Sequence, residues 1–204
     1  KGFDEISLPR LHVLFGKESD IDRNGVVNVF LADPKKIGVN VIGFFSPADL
    51  LPDGTISGVR SNEMEIVYAR TPGDGFDFKL GQATIAHEMF HLINFTQKSL
   101  PGFATRGVIG AAEQLFLNEG QAHLAEERVG WGIGTPEIVE IYLSCMADTS
   151  LGGGGNLFAK SPCNIQAAGN DSLARRGGMM LFLLYMFQQL GDANYSATAV
   201  DDIK

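Results

Sequence analysis

The spacing of hydrophobic and polar positions changes character part-way along the chain. The first part carries short β-prone runs at residues 26–32, 39–45 and 64–69, with residues 11–16 (LHVLFG) as a further short strand. Between the last two long runs lies SPADLLPDGTISGVRSN, rich in Pro, Gly, Ser and Asp, which predicts a surface excursion. Asp33-Pro34 and Pro52-Asp53-Gly54 mark turns. Run 64–69 just precedes a helical stretch; as a sheet edge beside a cleft it could take an extended peptide by strand addition. Residues 71–79 form the loop into that helix.

From Gln82 the period becomes helical. In QATIAHEMFHLINFTQ (82–97), Ile85, Phe90, Leu92, Ile93 and Phe95 surround a polar stripe almost completely, which predicts a buried helix. Leu100-Pro101-Gly102 reads as a break. A second helix is expected over about 108–128, its core positions including Ile109, Ala112, Leu115, Phe116, Ala122 and Leu124, with Asn118-Glu119-Gly120 placed to interrupt it. Gly130 to Gly134, around the lone Trp131, ends it. Residues 136–147 suggest a third helix with Pro136 in its first turn, and 173–190 a fourth, very apolar one. Residues 150–170 are Gly-rich and irregular.

At 204 residues and 45% hydrophobic content, the chain can bury a real core, as one domain or as two lobes around a cleft. A net charge of −8 without any Lys/Arg run excludes nucleic acid and anionic membrane as natural partners. No apolar run nears the roughly 18 residues of a membrane span. Cys145 and Cys163 flank the Gly-rich stretch; they form one disulfide in an exported protein and two thiols in a cytosolic one, and the bridge is the preferred reading. Asp20-Ile21-Asp22-Arg23-Asn24-Gly25 looks like the front of a calcium loop, with Asp20, Asp22 and Asn24 as ligands. The twelfth position is Leu31 where such a loop needs a bidentate Glu, so a turn feeding the first strand is favoured over Ca²⁺.

Within the buried helix stands His87-Glu88-Met89-Phe90-His91. Four residues bring His87 and His91 to one helix face, where two neutral imidazoles can hold one Zn²⁺ at about 2.0–2.1 Å. Glu88 is rotated about 100° from His87, so it can reach a water on the metal as general base without being a ligand. Two histidines and a glutamate in an apolar helix are costly without such a partner; the alternative is a chance HExxH. A catalytic site needs a third protein ligand from another element. Glu119, 28 residues beyond His91 in LNEGQAHLAEE, is the first candidate, and His123, one turn on, the second.

HEMFH followed at this interval by N-E-G-x-A resembles the gluzincin metallopeptidases, and strings along most of the chain resemble their bacterial hyicolysin-type branch: DIDRNGVVNVFLAD, IGFFSPADLL, HEMFHLINF, FLNEGQAHLAEE and RRGGMMLFLLYMFQQLG. The resemblance implies His87, His91 and Glu119 as zinc ligands and Glu88 as general base. It implies an α+β, zincin-like fold: a small N-terminal mixed or antiparallel sheet, the HExxH helix on the cleft floor, and a mostly helical C-terminal lobe. The whole of 1–204 would be one catalytic domain, with lobes of about 1–98 and 99–204. The chain departs from the pattern at His123, where many gluzincins have an aspartate orienting a ligand imidazole. His123 is left with four roles: bonding a carboxylate, contacting the substrate oxyanion, replacing Glu119, or lying on the helix surface. For the oxyanion, the segment returning to the cleft offers Arg176 first, with His123 and Tyr185 behind it; the alternative is that Arg175 and Arg176 only offset acids such as Asp171. Glu126 and Glu127 belong either beside the ligands or to a solvated helix end, the latter preferred for Glu127.

The expected function is a secreted or otherwise extracytoplasmic, monomeric zinc endopeptidase acting on peptide or protein substrates. Two rivals stay open: a non-catalytic binding module that keeps the metal for stability, and a zinc hydrolase of non-peptide amides or esters.

Overall fold

The computed structural model describes residues 2–38, 40–71, 73, 77–110, 113–132, 135–147, 163 and 172–189. The fold is α+β, mostly helical, with one small mixed sheet. Two compact units are present: Leu11–Ala112, and Gly2–Arg10 together with Glu113–Lys204.

A π-helical turn (Phe3–Ser7) leads into α1 (Leu8–Phe15), so residues 11–16 are not the strand their β-prone composition suggests. Leu8, Leu11 and Phe15 recur at helical spacing: Leu11 is fully buried, whereas Val13 points outward. Phe15 meets Phe90 edge-on, ring centres 5.0 Å apart. Gly16, in the left-handed region (φ 91°), stops the helix.

In the first unit, strands β1 (Asn28–Ala32), β2 (Gly43–Phe45) and β3 (Ile66–Arg70) assemble in the order β1-β3-β2. β1 runs parallel to β3 with Asn28 opposite Ile66, and β2 antiparallel with Phe44 opposite Tyr68. β3 is therefore the central strand, and its backbone is paired on both sides. It cannot be the edge that accepts a peptide. Asp33-Pro34 opens a one-turn helix, α2 (Pro34–Ile37), because the Asp33 carboxylate accepts the Lys35 N–H at 2.8 Å.

The Pro/Gly-rich excursion is only partly superficial. Its 3₁₀ turn, Pro47–Leu50, buries Ala48, Asp49 and Leu50. The Asp49 carboxylate accepts from the Asn62 N–H and side-chain amide, each at 2.8 Å, and from the Tyr68 hydroxyl at 2.8 Å. Those three bonds tie the far end of the excursion to β3, and Phe44 stacks on the Tyr68 ring at 4.4 Å.

Helix α3 (Phe78–Lys98) packs against β2 and β3. Asp77 caps it by accepting the Leu80 N–H at 2.9 Å. Ala83, Ala86, Met89, Phe90, Leu92 and Ile93 are buried along it, as the apolar period requires. At Leu100-Pro101-Gly102 the chain begins α4 (Leu100–Arg106) rather than breaking, Pro101 again occupying a first turn.

In the second unit, α5 (Leu115–Val129), α6 (Thr135–Cys145) and α7 (Leu173–Gln189) form a layer in which α7 packs on both others. The helix expected from 108 starts only at 115. Gly107 is left-handed (φ 67°) and ends α4, and Val108 and Ile109 are exposed despite fitting the period. Asn118-Glu119-Gly120 does not interrupt α5. Gly120 is buried there because α7 comes so close that a Cβ would lie 2.8 Å from that of Met179. Residues 2–10 are stitched to the end of α5: the Trp131 indole N–H donates to Ser7 Oγ at 2.8 Å, and Arg10 donates to the Val129 carbonyl at 3.0 Å. Cys145 and Cys163 form the disulfide. The rest of stretch 150–170 and Leu190 lie outside the described residues.

Candidate metal centre

His87, Glu88 and His91 all lie on α3 in the first unit. The two imidazoles stand 4.8 Å apart between ring centres at 78° to one another. Each offers a ring nitrogen within 4.8 Å of the other's, close enough to serve one ion. Both rings are partly exposed, while Glu88 is 7% exposed. This arrangement follows from the local sequence: the helical repeat puts the histidines in line, and the rotation between residues 87 and 88 turns the carboxylate towards the sheet. There it meets β2 at Gly43. A Cβ on Gly43 would lie 3.4 Å from Glu88 Cγ, 2.8 Å from the Tyr68 carbonyl oxygen, and in contact with Thr84 Cγ2. Gly43 thus shapes the surroundings of Glu88, a role that a glycine inside a β-prone run hardly advertises.

The remaining candidates belong to the second unit. Glu119 and His123 are one turn apart on α5, and Arg176 is on α7. Arg176 Nη1 lies 2.6 Å from Glu119 Oε2, both side chains largely covered, so the arginine answers an acid within the site's own residues. His123 Nδ1 lies 2.9 Å from Oε1 of Glu126, which is 5% exposed. His123 is therefore not an ordinary surface histidine, and Glu126 sits beside it while Glu127 is exposed. Arg175 is buried with its guanidinium 4.2 Å over the Phe116 ring, a packing role separate from that of Arg176. Tyr185 is 56% exposed near the end of α7.

Over 108 aligned positions the chain is 34% identical to the neutral metalloprotease ShpI of Staphylococcus hyicus, covering 48% of this chain and 24% of that protein. The chain spans about a quarter of its relative's length. No family model matches, and no solved structure does.

The two imidazoles on one turn of α3 suit a metal of intermediate hardness. Among the described residues no helix is long and apolar enough to cross a membrane.

Proposed function

We propose that this chain is a zinc-dependent endopeptidase domain of zincin type, with His87, His91 and Glu119 as the metal-holding residues. The observation that carries the reading is the pairing of two in-line imidazoles on α3 with a neighbouring carboxylate, Glu88, that is buried against β2. The similarity to a metalloprotease supports it. Bound zinc would polarise the scissile carbonyl and make an attacking water acidic.

Everything else is work for the chain's own groups. Glu88 takes the proton of the attacking water on a carboxylate oxygen and later delivers it to the leaving amine. Arg176 holds the Glu119 carboxylate at 2.6 Å and so fixes its orientation; its remaining N–H groups are the first choice for steadying a substrate oxyanion. His123, steadied by Glu126, is the second. An exported location agrees with the Cys145–Cys163 bridge.

The test is hydrolysis of casein by the purified chain, abolished by a chelator and restored by zinc. Glu88→Gln should keep zinc and lose nearly all hydrolysis, whereas His87→Ala and Glu119→Ala should lose zinc as well. A fully active Glu88→Gln enzyme removes the assignment. Zinc retention in Glu119→Ala with loss in His123→Ala moves the third ligand to His123.

A further inference from the structure

Away from α3, the turn before β1 gathers three carboxylates. One ligand oxygen each from Asp20, Asp22 and Glu65 lies within 4.8 Å of the others, the two aspartates exposed and Glu65 only 1% exposed. Two oxygens sharing one Ca²⁺ at about 2.3–2.6 Å can stand as much as about 5 Å apart, so the spacing suits a single ion. Acidic clusters on surfaces are common and mean little alone. Here the decisive feature is Glu65, whose two oxygens are treated very differently. Oε1 accepts the Ile21 N–H at 2.9 Å. Oε2 is buried and has no hydrogen-bond partner among the described residues. A carboxylate oxygen without water or donor is strongly unfavourable, and two further carboxylates nearby add repulsion. A cation among them removes both costs.

We propose that Asp20, Asp22 and Glu65 form a calcium site that pins the turn 20–25 to the start of β3. The donors are all carboxylate oxygens, which selects a hard cation over zinc. Glu65, distant in sequence from the turn, supplies the acidic ligand that Leu31 cannot. Asn24 shapes the turn: its Oδ1 accepts the Val26 N–H at 2.6 Å, its side-chain amide donates to Asp22 Oδ2 at 2.6 Å, and its N–H donates to Asp22 Oδ1 at 3.1 Å. The Gly25 N–H donates to Asp20 Oδ1 at 3.0 Å, which sets that carboxylate's direction. The ion would join the two ends of one strand pair, because Glu65 immediately precedes β3 and its carbonyl accepts the Asn28 N–H of β1 at 2.8 Å. This site is independent of the peptidase reading.

The experiment uses the full zinc-loaded chain and CaCl₂ as the only probe, with calorimetric titration and thermal unfolding. One Ca²⁺ per chain is expected, with Kd on the order of 10⁻⁴–10⁻³ M or tighter, a rise in Tm, and at least tenfold weaker response to Mg²⁺. The exposed pair Asp20→Asn with Asp22→Asn, and separately Glu65→Gln, should each weaken calcium at least tenfold and abolish the Tm rise while zinc content stays unchanged. The wild-type chain showing neither heat nor a Tm rise overturns the proposal. So does a calcium response that survives in both variants.

Discussion

Nη1 of Arg176 on α7 stands 2.6 Å from Oε2 of Glu119 on α5. A carboxylate gripped in this way presents itself to a metal in one orientation. Residues that hold ligands typically contribute 10–100-fold to metal affinity or activity. On the proposed role of Glu119 as a metal-holding residue, Arg176→Ala should weaken zinc binding by roughly 10–100-fold, measured by chelator competition, and Arg176→Lys should recover part of the loss. Equal zinc affinity in the wild type and Arg176→Ala would reduce the arginine to a bystander.

Gly43→Ala should be disproportionately harmful for so small a change. The new methyl collides with Thr84 Cγ2 and the Tyr68 carbonyl and presses on Glu88. Strand β2 must then back away from α3, at a cost of about 1–3 kcal/mol. Urea unfolding reads that cost, and on the peptidase reading kcat falls more than KM changes, with zinc retained.

Two glycines in the helical unit should respond differently to the same substitution. A Cβ at Gly177 runs into the main-chain carbonyl of Ile138, which cannot rotate aside, while one at Gly120 meets the Met179 side chain and the Met180 nitrogen at 3.2 Å. Gly177→Ala should cost about 3 kcal/mol and Gly120→Ala less. Comparable denaturation midpoints for the two variants would contradict this ranking.

Alkaline stability should depend on Tyr68. Burial pushes its pKa up to about 12, helped by the hydrogen bond to Asp49 and that residue's charge, with Asn62 acting in the opposite direction. In the unfolded chain the phenol ionises near pH 10, so the folded state binds this proton more tightly. The resulting stabilisation is complete below about pH 10 and disappears as the pH climbs towards 12. Unfolding measured across that window should fall steeply in the wild type and less so in Tyr68→Phe.

Reduction of the Cys145–Cys163 bridge releases a loop with a sequence separation of 18 residues. By the chain-entropy estimate this costs about 3 kcal/mol, seen as a lower Tm in dithiothreitol. The variant Cys145→Ser with Cys163→Ser should start at the lower Tm and ignore the reductant.

The helix carrying the histidines could be read directly, since its apolar period and its motif agree, although its first turn, capped by Asp77, was read as loop. The strands at 26–32 and 64–69 were also visible, though their neighbours were not: nothing in residues 64–69 says that partners flank both sides. Residues 11–16 misled because Val and Phe favour strands, and only the 3.6-residue spacing from Leu8 betrays α1. Val108 and Ile109 likewise matched a helical period that Gly107 had already ended. Glu65 and Gly43 were beyond reach for a different reason. Their importance lies in contacts with Asp20 and Asp22 and with Glu88, and no local pattern encodes a meeting of distant segments.

The anchoring of Ser7 and Arg10 to Trp131 and Val129 has a bearing on how the molecule is made. Ser7 and Arg10 are synthesised before the sheet-bearing segment, yet their docking surface is made only after it. Until then they have nowhere to settle.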